Sequence, residues 1–151
     1  MDYKDNLGFL IHHLGFVMDR QSDMLLQERL DIGFSQFKIL MALKWHASVQ
    51  QRHIAEKLGQ TEASVSRQIK LLKEAGLITV KPSTKNRREH ITTLTTKGVT
   101  LVDKAFRALN EYHAPIFERF TPAQQQVLRE LLQGLHREMC SRDPNSNCQK
   151  L

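Results

Sequence analysis

The side chains with the clearest chemical potential in this sequence are cations. Arg67 and Lys70 lie three residues apart, a spacing that puts both on one face of a helix, with small Ala63 and Glu74 on the same side and Ser66 near its edge. Further on, the stretch KPSTKNRREH (81–90) carries Lys81, Lys85, Arg87, Arg88 and His90 against the single acid Glu89, with no apolar residue. Such groups make charge-assisted hydrogen bonds to phosphates and to the edges of bases.

Other chemistry finds little support. The seven histidines are scattered without carboxylates at ligand spacing, and no HExxH pattern, phosphate-binding glycine loop or Ser/His/Asp order is present. An enzyme is therefore not expected, nor a metal or cofactor. His12 and His13 are adjacent on a helix and cannot face one site together. Cys140 and Cys148 lack C-x-x-C spacing and read as incidental thiols of a reducing compartment, with oxidant sensing across a dimer as the sharper alternative.

The distribution of charge reinforces the cationic reading. The chain of 151 residues has a formal net charge of +6 and an isoelectric point near 9.6. Between residues 61 and 90, seven lysines and arginines face three glutamates, so one segment holds most of the excess. A localised basic patch is the footprint of a nucleic-acid site, here expected to take double-stranded DNA. No apolar run is of membrane-spanning length and the acidic start MDYKD is unlike a signal peptide, so a cytoplasmic protein without membrane contact is expected.

The elements that would position these cations follow from periodicity and capping. Leu7, Leu10, Ile11, Leu14, Val17 and Met18 recur at helical steps from about Leu7 to Leu30, and Phe9 and Phe16 widen that apolar face. A second helix carries Phe37, Ile39, Leu40, Leu43 and Trp45, with Ser35 as its expected N-cap. SVQQ (48–51) matches a capping box that opens a short helix through Ile54, Ala55 and Leu58 to Gly59. Thr61 then caps a helix reaching Gly76, so the intervening turn must be tight. Val65, Ile69 and Leu72 form its packing stripe.

Leu77 to Lys81 and Glu89 to Thr95 read as two strands, which makes 81–90 the tip of a β-hairpin. A helix from about Lys97 carries Val99, Val102, Phe106 and Leu109 until Pro115 interrupts or kinks it. TPAQ (121–124) opens the last helix, whose stripe of Val127, Leu128, Leu131, Leu132, Leu135 and Met139 needs a partner. The residues after Ser141 read as a disordered tail. The fold class expected is mainly α with a small β-hairpin wing: a helix, a short link, a second helix that enters the major groove, and a basic hairpin for the flanking backbone or minor groove.

Residues 54–98 resemble the core of a MarR-family transcriptional regulator. The resemblance rests on Thr61 with Val65, Ser66 and Arg67, on Gly76, Leu77 and Ile78, on Arg87 and Arg88, and on Leu94, Thr95 and Gly98. One departure is Asn86, which stands where the family's wing has an aspartate. The resemblance implies a winged helix-turn-helix homodimer, with an N-terminal dimerisation helix (1–32), a DNA-binding lobe (33–96), C-terminal dimerisation helices (97–140) and a tail (141–151). It implies DNA contacts from Thr61, Ala63, Ser64, Ser66, Arg67, Gln68, Lys70, Lys85, Arg87 and Arg88, on a pseudo-palindromic operator. It further implies a repressor released by a small aromatic or amphipathic effector. A pocket for that effector would fall on His12, Phe16 and Trp45, although Trp45, Phe9, Phe16 and Met18 read first as ordinary core. The alternative is a winged-helix protein-interaction module without specific DNA binding.

Overall fold

A computed structural model of the chain describes residues 5–46, 49–83 and 90–142. Among these, six helices and a three-stranded sheet follow in the order α1 (Leu7–Leu30), α2 (Phe34–Trp45), β1 (Val49–Gln50), α3 (Gln51–Leu58), α4 (Glu62–Glu74), β2 (Ile78–Pro82), β3 (His90–Leu94), α5 (Thr96–Phe117) and α6 (Pro122–Arg142). The sheet is antiparallel with β3 central, in the order β1-β3-β2, and its hairpin register pairs Ile78 with Leu94 and Pro82 with His90.

The core gathers Leu25 and Leu26 of α1, Phe37, Ile39, Leu40 and Leu43 of α2, Ile54 of α3, Val65, Ile69 and Leu72 of α4, and Val102 of α5. Burying each such side chain stabilises the fold by about 2 kcal/mol. α4 is therefore fixed by its inner stripe and is not free to swing. α1, α3 and α4 each end in a left-handed residue, Asp31 (φ 54), Gly59 (φ 60) and Gly76 (φ 70) respectively. At Asp31 the side chain accepts from the Gln27 amide at 2.9 Å, a local partner that helps a residue other than glycine hold this geometry.

Several elements begin or end elsewhere than their local sequence indicates. α2 is capped at Gly33, not Ser35: Asp23 Oδ1 accepts from Phe34 N at 2.7 Å and Gln36 Oε1 from Gly33 N at 2.9 Å. Ser48 does not cap α3, whose N-cap is Gln50 with no side-chain cap bond. Val49 and Gln50 instead pair with Thr92 and Ile91, because extending Val49 buries it and satisfies backbone groups of the sheet. Ser48 itself lies outside the described residues. α5 runs past Pro115 to Phe117, since a proline in the last turn removes only one helical donor and Glu118 N still reaches Ala114 O at 2.9 Å. α6 reaches Arg142; the rest of the expected tail, including Cys148, lies outside the described residues.

The N-terminal aromatic cluster is not core. Phe9, Phe16 and Trp45 are exposed, Trp45 at 57%, and Leu7, Leu10, Ile11 and Leu14 join them. α6 buries none of its residues, leaving Val127, Leu128, Leu131, Leu132, Leu135 and Met139 on the surface. The N-terminal half of α1 and the whole of α6 thus keep their apolar faces outside the chain's own core.

Candidate nucleic-acid interface

The cationic face of α4 is built by what surrounds the helix. Thr61 Oγ1 accepts from Ser64 N at 3.2 Å, satisfying one orphan donor of the first turn. The turn before it is held from both sides. Gln60 N bonds to Ala55 O at 3.0 Å, and the Gln60 side-chain amide donates to Ser35 Oγ on α2 at 3.0 Å. The angle between α3 and α4 is thereby tied to α2.

The far end of α4 is clamped more tightly. Gly76 N reaches Lys73 O and Leu77 N reaches Leu72 O, both at 2.9 Å, a Schellman closure that needs the positive φ at Gly76. Thr95 Oγ1 donates to Gly76 O at 2.8 Å while accepting from Gly98 N at 3.0 Å, so one hydroxyl joins the end of α4 to the start of α5. Thr95 N adds a bond to Leu77 O at 3.1 Å, and Lys97 Nζ caps Ala75 O at 2.8 Å. Gly98 lies so close to Leu77 that a Cβ there would stand 2.1 Å from its carbonyl oxygen. The Leu-Thr-x-x-Gly run is therefore a fastener for α4.

With α4 fixed, Thr61, Ala63, Ser66, Arg67 and Lys70 are exposed, and Ser64 and Gln68 are half-buried beside them. Lys70 lies 4.0 Å from Glu74, a solvent-exposed pair worth little and easily exchanged for a phosphate. Arg67 has no ion pair among the described residues. Lys81 and Pro82 at the end of β2 and His90 at the start of β3 are exposed. Lys85, Asn86, Arg87 and Arg88 lie outside the described residues. His12, Phe16 and Trp45 are each exposed, and no ring contact among the described residues joins them into a pocket wall. No group of three or more potential metal ligands occurs among the described residues. No helix there is long and apolar enough to cross a membrane.

Gln60, Lys97 and the Thr95/Gly98 pair carry the geometry of the site, yet charge patterning passes over them. For Thr95 and Gly98 a signal existed in the three-residue cap spacing; for Gln60 none did, because Ser35 is 25 residues away.

Comparison with known proteins agrees with this geometry. Residues 30–89 match a model of the MarR family. An HTH-type transcriptional regulator of Bacillus cereus is 26% identical over 139 residues, spanning 89% of this chain and 92% of its own length. The organic hydroperoxide resistance transcriptional regulator of Bacillus subtilis is 29% identical over 105 residues, 70% of this chain and 71% of its own. Among solved structures, the transcriptional regulator BldR from Sulfolobus solfataricus superposes with a TM-score of 0.80 at 21% identity, over 94% of this chain and 97% of its own. A mutant MarR from E. coli complexed with operator DNA superposes with a TM-score of 0.74 at 23% identity, over 89% and 96%.

The fold is thus a winged helix-turn-helix with additional N- and C-terminal helices. Together with the family match over residues 30–89 and the regulator relatives at 26% and 29% identity, it makes the chain similar to the MarR family of transcriptional regulators.

Proposed function

We propose that this protein binds a specific double-stranded DNA operator as a homodimer and represses transcription until a small aromatic or amphipathic effector releases it. The observation that carries the reading is the outward face of α4: small and polar at Ala63 and Ser66, cationic at Arg67 and Lys70, and locked in place at both ends. A helix that reads a major groove needs such a face, because backbone approach requires small residues while bases and phosphates reward cations. In this reading Ser64, Ser66, Arg67, Gln68 and Lys70 address base edges. Thr61, Lys85, Arg87 and Arg88 hold the backbone and the groove walls.

The dimer is supported by the exposed apolar faces of α1 and α6, which a second copy would cover. Residues 1–32 and 97–140 then form the dimerisation region and 33–96 the DNA-binding lobe, working in the cytoplasm. Two-fold symmetry makes the operator a pseudo-palindrome with half-sites about one helical turn apart. Selection of duplexes from a randomised pool with the purified full chain, followed by a salt titration of the winner, tests this. A palindromic motif is expected, with affinity falling by orders of magnitude between about 50 and 200 mM salt. A pool that yields no motif, together with salt-insensitive binding, would favour a protein-interaction module instead.

A further inference from the structure

One side chain of α4 fits neither its packing stripe nor its polar and cationic face. Of the helix's four large apolar residues, Val65, Ile69 and Leu72 are buried, whereas Leu71 is 50% exposed. Its place on the helix gives this exposure a meaning that an isolated surface leucine would not have. Leu71 follows Ser64 by seven residues, Arg67 by four and Gln68 by three, so the four stand in one row along the edge of the outward face. Long helical side chains lean back over the preceding turn, which carries Leu71 towards Arg67 and Gln68 and away from Gly76. From Ser64 to Leu71 the row runs about 10 Å, some three base-pair steps of a duplex. Lys70 is the neighbouring residue, so a helix laid along a groove far enough to use Lys70 brings Leu71 into it as well.

The base edges of a major groove offer a leucine a single apolar group. Everything else there is a hydrogen-bond donor or acceptor, which an aliphatic side chain would desolvate without pairing, whereas the C5-methyl of thymine can be covered at no such cost. We infer that Leu71 reads the methyl group of one thymine in each operator half-site. The inference rests on the DNA reading proposed above and adds an apolar base contact to its polar and cationic ones. At that position the protein discriminates by the presence of a methyl and not by a pattern of donors and acceptors.

The test is a double-mutant cycle on the operator selected with the full chain. Each thymine of one half-site is replaced in turn by deoxyuridine, which removes the methyl and leaves every hydrogen-bonding group in place, and each duplex is titrated with wild type and with Leu71→Ala. Wild type should lose about four-fold in affinity at one position, the worth of one covered methyl. Leu71→Ala should bind the unmodified operator about four-fold or more weakly and should no longer distinguish thymine from deoxyuridine at that position, so that the two losses couple. Leu71→Met, which keeps an apolar side chain of similar volume, should retain most of the discrimination. Because the leucine is exposed, its truncation should leave Tm within about 2 °C of wild type. Additive losses at every thymine, or a selected half-site with no thymine preference, would overturn the assignment and leave the DNA reading standing. A Tm lowered by about 5 °C or more, with equal weakening on all duplexes, would make Leu71 a packing residue of the lobe and overturn it likewise. Wild type that binds no duplex would overturn the DNA reading and this inference with it.

Discussion

Substituting Gly98 by alanine probes the fastener between α4 and α5 directly. The added methyl would stand 2.1 Å from Leu77 O and 3.1 Å from Leu77 C, and both are backbone atoms that no rotamer change can move. Relief requires the two segments to part by about 1 Å or more, to reach ordinary contact. The Leu77 carbonyl is also the acceptor for Thr95 N at 3.1 Å, so parting them weakens a bond worth about 1 kcal/mol net. Forcing a methyl into a filled space costs a further 1 to 3 kcal/mol or so. Against this, replacing a helical glycine returns up to about 1 kcal/mol of propensity.

The steric and hydrogen-bond losses outweigh the gain, and Gly98→Ala should lose about 1 to 3 kcal/mol. At fixed protein concentration its Tm should fall by roughly 3 to 9 °C for a chain of this size. Thermal melting by circular dichroism measures it, with Gly15→Ala as the control, since a Cβ there meets no atom within 4 Å. The control should gain a few tenths of a kcal/mol or more from propensity alone. A Gly98→Ala protein as stable as wild type would refute the close approach of α5 to the Leu77 turn.

Thr92 on the central strand is fully buried and its hydroxyl has no hydrogen-bond partner among the described residues, so Thr92→Val should stabilise the fold by about 1 kcal/mol, read as a higher urea midpoint with an unchanged m-value. Arg67→Ala should weaken binding to the selected operator by about 1 to 3 kcal/mol while the circular dichroism spectrum stays the same; affinity equal to wild type would remove Arg67 from the interface. Leu131, 67% exposed on α6, is expected at the proposed dimer contact. Leu131→Glu buries a charge there and should shift sedimentation towards monomer at micromolar concentration, whereas an unchanged sedimentation coefficient would place the contact elsewhere.

Legibility in the sequence tracks how far apart the interacting groups are. α1 runs from Leu7 to Leu30 as its periodicity indicates, Gly59 takes the left-handed exit, Thr61 caps α4, and Thr121 with Gln124 forms the reciprocal capping box of TPAQ. Each depends on residues within a turn or two of one another. Gly33 caps α2 because Asp23 reaches it from the preceding helix, and Val49 becomes a strand because Thr92 lies opposite. No local window contains those partners. For the site, the stripe of Val65, Ile69 and Leu72 fixes which way Arg67 and Lys70 point, so that face is readable from helical period alone. Of the clamp, the cap spacing of Thr95 and Gly98 is visible in the sequence, but its tie to α4 is not, because the acceptors at Ala75, Gly76 and Leu77 are backbone carbonyls that no side-chain pattern reveals.

α5 begins at that clamp and ends among Tyr112, Ile116 and Phe117, which are exposed and fall within the segment proposed for dimerisation. Its 22 residues make a strut about 33 Å long. In the proposed dimer, a tilt of only about 5° at the far end would swing the reading head by about 3 Å, close to the rise of one base pair. Such a lever lets a small repacking between subunits take both heads out of phase with the duplex while each lobe stays internally unchanged.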